Sequence, residues 1–289
     1  METVAVREKK RVTLLSLLAA ISLTSFKLII GILTGSLGIL SEALHSGLDL
    51  VAAAITFYAV RISDKPVDAD HHYGHGKFEN VSALAETLLL FMTCLWIIYE
   101  AVRRLATGRV EIEVNAWSYI VVLFSIAVDF SRSRALNKAA VKHNSQALKA
   151  DALHFSTDIW SSLVVLAGLI CAHLGFFFAD AIAALGVAAI VIVISFRLGK
   201  KSVDVLLDRA PMDITEKVTR MLREMPEVLY FHDLKVREAG AQVFIEISIH
   251  VDSKLSLEEA HHIVDLIEER IRVAVERAEV HVHFEPQDR

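Results

Sequence analysis

The sequence has few of the features that mark a secreted, disulfide-linked or thiolate metal-binding protein. Only two cysteines occur in 289 residues, and both Cys94 and Cys171 lie in apolar runs. This excludes a disulfide framework and a zinc site built from thiolates. The charged N-terminal segment leads into an apolar run that is too long for a signal-peptide core and shows no A-x-A cleavage pattern. We therefore interpret that run as a first membrane helix.

Hydrophobic residues are abundant and unevenly distributed. They make up 54% of the chain, and the mean hydropathy is +0.47, which is too high for a soluble protein of this length. Long apolar runs extend from about residue 12 to residue 198, whereas the rest of the chain is charge-rich. The sequence predicts a membrane domain over residues 1–205 and a soluble domain over residues 206–289.

Six apolar segments are long enough to cross a bilayer, whose hydrocarbon core of about 30 Å requires about 20 helical residues. They are predicted at 12–33, 38–61, 81–104, 116–136, 147–171 and 177–198. Lysine and arginine are concentrated on the side of the N terminus, as is typical of cytoplasmic loops. An even number of spans then places both termini in the cytoplasm, in a multi-pass protein of the cell (inner) membrane.

Two of these segments carry the same pair of ionisable residues. His45 and Asp49 lie in the second segment, and His154 and Asp158 lie in the fifth. Residues at i and i+4 share one face of a helix, and ionisable groups inside a membrane are costly unless they face a partner or a pathway. A lone histidine would favour a structural hydrogen bond, but two matching pairs favour a metal site. Two imidazole nitrogens and two carboxylate oxygens suit tetrahedral zinc.

Other ionisable residues of the apolar segments have more local interpretations. Lys27 is close enough to the end of the first segment to extend its ammonium group to the membrane interface. Glu42 and Asp151 lie about one helical turn from the two pairs. They either line the access path of an ion or lie at the interface.

The segment between the second and third spans is rich in aspartate, histidine and glycine. It reads Asp68-Ala69-Asp70-His71-His72-Tyr73-Gly74-His75-Gly76-Lys77. Carboxylates and imidazoles so close together can ligate a divalent cation, and the glycines let the backbone fold around it. A solvated polar loop without a metal is the alternative. Lys77 and Glu79 are candidates for ion pairs between helices or subunits.

The region after residue 206 predicts a small α+β domain. Its pattern indicates a helix, two strands joined by a hairpin turn, a second helix and a last strand, at 213–224, 228–237, 242–251, 256–277 and 280–284. Ser256 and Glu259 form a capping-box pattern at the start of the second helix. The order αββαβ predicts two helices on one face of a three-stranded sheet.

Histidines are frequent in this second domain. They are His232, His250, His261, His262, His281 and His283, and Glu285 follows the last of them. This frequency favours regulatory or structural metal binding, and surface histidines of no special role are the alternative. Alternation along the last strand places His281 and His283 on the same face.

Taken together, these motifs resemble those of the cation diffusion facilitator family of divalent-metal transporters, over nearly the whole chain. The matching residues are Gly35-Ser36, His45, Asp49, Tyr73-Gly74-His75-Gly76-Lys77, His154, Asp158, Leu206-Leu207-Asp208-Arg209 and His283-x-Glu285-Pro286. The resemblance implies six transmembrane helices and a cytoplasmic metallochaperone-like αββαβ domain. It also implies a homodimer in the lipid bilayer that exports zinc or a related metal, driven by inward proton flow.

The resemblance assigns roles to individual residues. His45, Asp49, His154 and Asp158 match the transport site. Asp68, His71 and His75 match a loop site. His232, His250, His261, His283 and Glu285 match residues that bind zinc between two cytoplasmic domains. Lys77 and Asp208 match a charge interlock at the domain junction.

This chain departs from the common bacterial pattern at two places. Many bacterial members have aspartate where this chain has His45, and the closing motif here contains Phe284 and Glu285. A second imidazole favours zinc over manganese, iron or magnesium, which prefer more oxygen ligands. An unperturbed imidazole titrates near about pH 6.5, and a metal competes with its proton, so the same ligands predict proton coupling.

Several rival functions use the same residues. The same fold could carry mainly cadmium, iron, manganese or cobalt, or could serve as a metal-sensing membrane protein. An intramembrane metalloenzyme is disfavoured because catalytic zinc normally keeps an open coordination position, whereas four ligands are available here. The H-E-x-x-H motif is also absent. We expect a transporter and not an enzyme.

Overall fold

The computed structural model describes residues 4–34, 37–107, 116–173 and 179–288. Gly35 and Ser36, and the first two residues of the sixth predicted span, lie outside the described residues, as does the side chain of Glu42. The chain divides into two compact units, formed by Met1–Pro66 with Phe78–Ser202 and by Val67–Lys77 with Val203–Arg289. The segment Val67–Lys77, called the loop segment below, therefore belongs to the second unit.

The described residues form six long helices, as the sequence predicts. They are α1 (Val4–Thr34), α2 (Leu37–Ser63), α3 (Phe78–Thr107), α4 (Ala116–His143), α5 (Gln146–His173) and α6 (Ala179–Leu206). Among the described residues, three stretches are long and apolar enough to cross a membrane by themselves: Val4–Leu33, Ala43–Ser63 and Phe78–Arg103. The first unit, Met1–Pro66 with Phe78–Ser202, is called the membrane unit below. Its predicted all-helical character is confirmed.

Small side chains let these helices pack closely. α1 packs along α2, and α4 packs along α5. Their shared core consists of Ala20, Ala53, Val60, Leu136, Ala139, Ala140, Ala147, Leu148, Ala152 and Phe155. Alanine at helix contacts permits close backbone approach. Polar side chains on facing helices can therefore reach one another inside the unit.

The second unit has the predicted order αββαβ. Its elements are α7 (Met212–Arg223), β1 (Tyr230–Ala239), β2 (Gln242–Asp252), α8 (Leu257–Ala274) and β3 (Ala278–Gln287). The sheet order is β1-β2-β3, with β1 antiparallel to β2 and β3 parallel to β2. The capping box of Ser256 and Glu259 at the start of α8 is confirmed.

Alternation along β2 separates the two faces of the sheet. Val243, Ile245, Ile247, Ile249 and Val251 are buried in one core together with residues of α7 and α8. The intervening residues lie on the opposite face, where the register pairs His232 with Ser248, Ser248 with His283, and His250 with Glu285. Residues paired across strands share a face, so these polar side chains lie together.

The loop segment packs against this opposite face. Tyr73 meets Phe244 edge-on with ring centroids 5.3 Å apart, and the Arg237 guanidinium lies 4.0 Å from the Tyr73 ring centroid. The backbone of Gly76 approaches that of Gly240, where φ is +63°. A Cβ atom at Gly76 would collide with the backbone of Ala239, and a Cβ atom at Gly240 would collide with the backbone of Gly76. Only glycine fits both positions.

Candidate functional site

Helices α2 and α5 bring the two His-x-x-x-Asp pairs together. His154 Nε2 lies 3.1 Å from Asp49 Oδ1 and 3.8 Å from Asp158 Oδ2. His45 Nε2 lies 3.7 Å from Asp158 Oδ1. All four predicted transport-site residues thus converge on one small region of the membrane unit.

The separations suit a tetrahedral zinc ion. Ligand atoms around such an ion, with bonds of about 2.0–2.2 Å, lie about 3.3–3.6 Å from one another. One ligand atom from each of His45, Asp49 and Asp158 lies within 4.8 Å of the other two, and His154 contacts both carboxylates. A cation at their centre therefore requires only small side-chain adjustments.

Three of the four side chains of this group are buried, whereas that of His45 is 37% exposed. His154, Asp158 and Asp49 are 3%, 7% and 8% exposed, respectively. His154 Nδ1 and Asp158 Oδ2 have no hydrogen-bond partner. Buried polar atoms without partners are costly, and a ligand that satisfies Asp158 would remove part of that cost.

Two positively charged side chains, Lys27 and Arg132, lie in the same unit near the four transport-site residues. The position of Lys27 differs from the one predicted from the sequence. Lys27 does not extend to the membrane interface: it is 3% exposed, and its Nζ donates to Ser46 Oγ at 2.8 Å. Because α1 packs tightly on α2, the side chain turns inward, where its charge also acts on Asp49. Arg132 forms an ion pair with Asp129 at 3.3 Å.

The loop segment brings Asp68, His71 and His75 together. Asp68 Oδ1 lies 3.2 Å from His71 Nδ1, and Asp68 Oδ2 lies 3.3 Å from His75 Nε2. The backbone N–H groups of His71 and Asp70 donate to Asp68 and, together with His71, hold the pKa of its carboxyl below the usual range. Asp68 is thus kept as a carboxylate, ready to accept a cation. His75 is buried, whereas Asp68 and His71 are exposed.

The open face of the sheet collects four of the five predicted cytoplasmic ligands. Glu285 lies 3.7 Å from His232, 3.6 Å from His250 and 3.7 Å from His283. Among the described residues, no ion pair joins His261 to this group, because it projects from α8 and faces Asp265 at 3.9 Å. The carboxylate of Glu285 is the common neighbour of the three imidazoles.

Lys77 and Asp208 form the predicted ion pair, with Nζ 2.7 Å from Oδ1. The guanidinium of Arg237 lies 3.6 Å from the same oxygen. The hydrogen bond from Lys77 holds the pKa of Asp208 below its ordinary value. Since Arg237 also covers Tyr73, it connects the ion pair to the packing of the loop segment.

Sequence reasoning missed one buried acid of the membrane unit. Glu86 lies in α3 and is fully buried, and it accepts hydrogen bonds from Thr56 and Ser82. An acid in the middle of an apolar span is itself a signal of function, and it was available in the sequence. Asp151, which the sequence placed either on an access path or at the interface, is 1% exposed.

Comparison with known proteins covers both units. Residues 13–207 match the family model of the cation efflux transmembrane domain, and residues 210–287 match that of the cation efflux protein cytoplasmic domain. The cation-efflux pump FieF of Shewanella oneidensis is 32% identical over 94% of this chain and 92% of its own length. An uncharacterized transporter of Methanocaldococcus jannaschii is 35% identical over 96% of this chain and 98% of its own.

A solved structure is similar to part of the chain. The metal-bound C-terminal domain of the CzcD transporter from Thermotoga maritima is 30% identical, with a TM-score of 0.25, and the match covers 26% of this chain and 88% of that domain. Both family models match this chain, and the relatives align with it along nearly their whole length. These matches identify its family. The chain is a cation efflux transporter of the cation diffusion facilitator family.

Proposed function

We propose that this transporter exports zinc ions in exchange for protons, with His45, Asp49, His154 and Asp158 as the transport ligands. The observation that carries the proposal is the convergence of two imidazoles and two carboxylates between α2 and α5. Four such donors complete the coordination that zinc prefers in proteins.

The donor set favours zinc over other divalent metals. Manganese and magnesium prefer oxygen ligands, and magnesium requires near-octahedral geometry. With two nitrogen donors and two carboxylates, the set is richer in nitrogen than these metals prefer. Cadmium, iron and cobalt are the principal competitors, and a metal panel measured in one preparation ranks them.

Proton exchange follows from the same contacts. A metal binds only deprotonated ligands, so its binding releases protons. His154 contacts both Asp49 and Asp158. When it is protonated, its positive charge lies between the two carboxylates that would otherwise hold the metal. Protons and zinc therefore compete for one set of atoms, and acid on the far side of the membrane favours metal release.

The other two groups supply regulation or structural support in this proposal. Asp68, His71 and His75 bind a metal in the loop segment, and His232, His250, His283 and Glu285 bind metal on the sheet face. His261 is held away from that face within one chain, so its participation requires a second cytoplasmic domain. The proposed assembly is therefore a homodimer. We also propose that it lies in the inner membrane, with both termini in the cytoplasm.

Reconstituted flux tests the proposal. Purified full-length protein is placed in proteoliposomes with a zinc-sensitive dye inside, and a pH gradient is imposed. We expect zinc flux that grows with the gradient and is coupled to proton counterflow. His154→Ala should abolish it, while His262→Ala, which removes an exposed imidazole outside the three groups, should leave it unchanged. Zinc-for-proton exchange that survives in His154→Ala would contradict the site, and zinc binding without any flux would favour a sensor.

A further inference from the structure

A groove lies between α4, α5 and α6 in the membrane unit, with a volume of about 730 Å³. A hydrogen bond from Ser133 Oγ to the carbonyl oxygen of Ala152, 2.9 Å long, joins α4 to α5 in its lining. Ser156 also lines the groove. It is two residues away from both His154 and Asp158, so its side chain points about 200° around α5 from theirs. The groove is therefore separate from the four transport ligands.

One part of this groove is basic. Arg134 on α4, Lys149 on α5, and Arg197 and Lys201 on α6 all line it, and all four residues are exposed. No acidic residue is found among the described residues of the lining. Within the described part of the chain, no ion pair or side-chain hydrogen bond holds any of these four side chains. Positive charges gathered in one cavity without acids attract an anion.

The rest of the groove is mainly apolar. Its lining includes Phe130, Trp160, Leu163 and Ile194, which are all exposed large hydrophobic residues. Along α5, the stretch from Ala152 to Leu163 is about 16 Å long at a rise of 1.5 Å per residue. The hydrocarbon layer of one leaflet is about 15 Å deep, which is half of the core of about 30 Å. The apolar part therefore has the length of a lipid chain within one leaflet.

The basic and apolar parts have the same order on all three helices. On α4, Phe130 comes four residues before Arg134, and on α6, Ile194 comes three residues before Arg197. Consecutive spans run in opposite directions, and accordingly Lys149 comes first among the lining residues of α5. The basic side chains thus lie towards the end of the helices at which α4 ends and α5 begins. The apolar ones lie towards the middle of the bilayer, as in a lipid with a charged headgroup.

We propose that this groove binds an anionic phospholipid. Its headgroup lies among the four basic side chains, and one of its acyl chains lies along the apolar lining. Basic pockets between transmembrane helices bind anionic headgroups, whereas a zwitterionic lipid would bring a positive group into a cluster that is already positive. The basic side chains come from α4 and α5 on one side and from α6 on the other, so the headgroup fastens α6 to the other two helices. This role goes beyond the proposed zinc exchange and does not depend on it.

Trp160 lines the groove and can report what occupies it. The chain contains three tryptophans, so the combination of Trp96→Phe and Trp117→Phe leaves Trp160 as the only one. This full-length variant is reconstituted in phosphatidylcholine vesicles that contain a small, equal mole fraction of phosphatidylglycerol or phosphatidylcholine with brominated acyl chains. Bromine quenches indole fluorescence on contact. We expect brominated phosphatidylglycerol to quench Trp160 more strongly than brominated phosphatidylcholine.

A second reporter measures the surrounding bilayer. Trp96 is exposed on α3 and does not line the groove. The combination of Trp117→Phe and Trp160→Phe leaves it as the only tryptophan. We expect both brominated lipids to quench Trp96 equally. An equal preference for the anionic lipid at both reporters would mean general enrichment around the protein, and it would overturn the proposal.

Two charge variants test the headgroup contacts. Arg197→Gln with Lys201→Gln removes two positive charges from the groove. Lys138→Gln with Lys200→Gln removes the same charge from exposed residues of α4 and α6 that do not line it. We expect the preference of Trp160 for the anionic lipid to fall about fivefold for each groove residue removed. The other pair should leave it unchanged. All four side chains are exposed, so neither pair removes a buried contact.

The outcomes decide the proposal without any measurement of flux. Equal quenching of Trp160 by the two brominated lipids overturns it, and so does an equal loss of preference in the two charge variants. Quenching by neither lipid would show that a second copy of the chain covers the groove, which also overturns it. Absence of zinc flux in wild type would contradict only the proposed function, because the lipid measurement requires no metal.

Discussion

Gly76→Ala tests how the loop segment is held on the second unit. A Cβ at Gly76 would lie 2.8 Å from the carbonyl carbon of Ala239 and 3.3 Å from the nitrogen of Gly240. The two backbones would have to separate, and overpacking of this kind costs about 1–3 kcal/mol. The contacts that oppose separation are of similar size. The pair of Tyr73 with Phe244 contributes about 0.5–1.5 kcal/mol, and Arg237 over Tyr73 contributes about 0.5–1 kcal/mol.

One added methyl group should therefore release the loop segment. Limited trypsin digestion of the full-length protein measures this directly, because Lys77 ends the segment and is followed by Phe78. A cost of 1–3 kcal/mol raises the population of the released form at least about fivefold, since about 1.4 kcal/mol corresponds to a factor of ten. We expect cleavage after Lys77 to accelerate by that factor.

Gly186→Ala is the matched control, because a Cβ there meets nothing within 4 Å. Alanine in a helix interior is more favourable than glycine by about 0.5–1 kcal/mol, so this variant should be cleaved no faster than wild type. If Gly76→Ala is also cleaved at the wild-type rate, the close approach of Gly76 and Gly240 does not exist in the protein, and the reasoning is refuted.

Two further predictions concern ligand type and the ion pair. His45→Asp exchanges a nitrogen ligand for oxygen, and we expect transport to broaden towards cadmium; a wild-type ratio of zinc to cadmium flux in proteoliposomes would argue against this. A double-mutant cycle of Lys77→Ala and Asp208→Ala should give a coupling of about 0.5 kcal/mol in thermal unfolding, because both side chains are partly exposed. The pKa of Asp208 is lowered in the folded protein, so this coupling is fully present above about pH 4 and is lost as pH falls through the lowered pKa. A coupling that high salt leaves intact would show that the pair does not act through charge.

The fold was predictable because its signals are local. Long apolar runs predict six helices by length alone, and alternation around β2 predicts the sheet. The transport ligands were predictable for a similar reason, since His45 with Asp49 and His154 with Asp158 each share a helix face before any tertiary structure exists.

What the sequence did not show depends on which helices meet. Lys27 lies near a helix end, and its inward direction follows only from the contact of α1 with α2 and the hydrogen bond to Ser46. Glu86 was visible as an intramembrane acid, but its hydrogen bond from Thr56 follows from the packing of α2 on α3. The separation of His261 from Glu285 likewise depends on where α8 crosses the sheet.

The unsatisfied atoms of the membrane unit indicate what kind of ion the helices accommodate. Among its described residues, Glu86 and Asp158 each have a buried carboxylate oxygen without a hydrogen-bond partner, whereas the carboxylates of Asp64 and Glu79 are paired with Lys9. An apolar bilayer offers no donors to satisfy them. Of these, Asp158 Oδ2 lies among the proposed transport ligands, where a bound cation would satisfy it. A polar interior balanced by its own hydrogen bonds would be more stable, but it would bind a cation weakly.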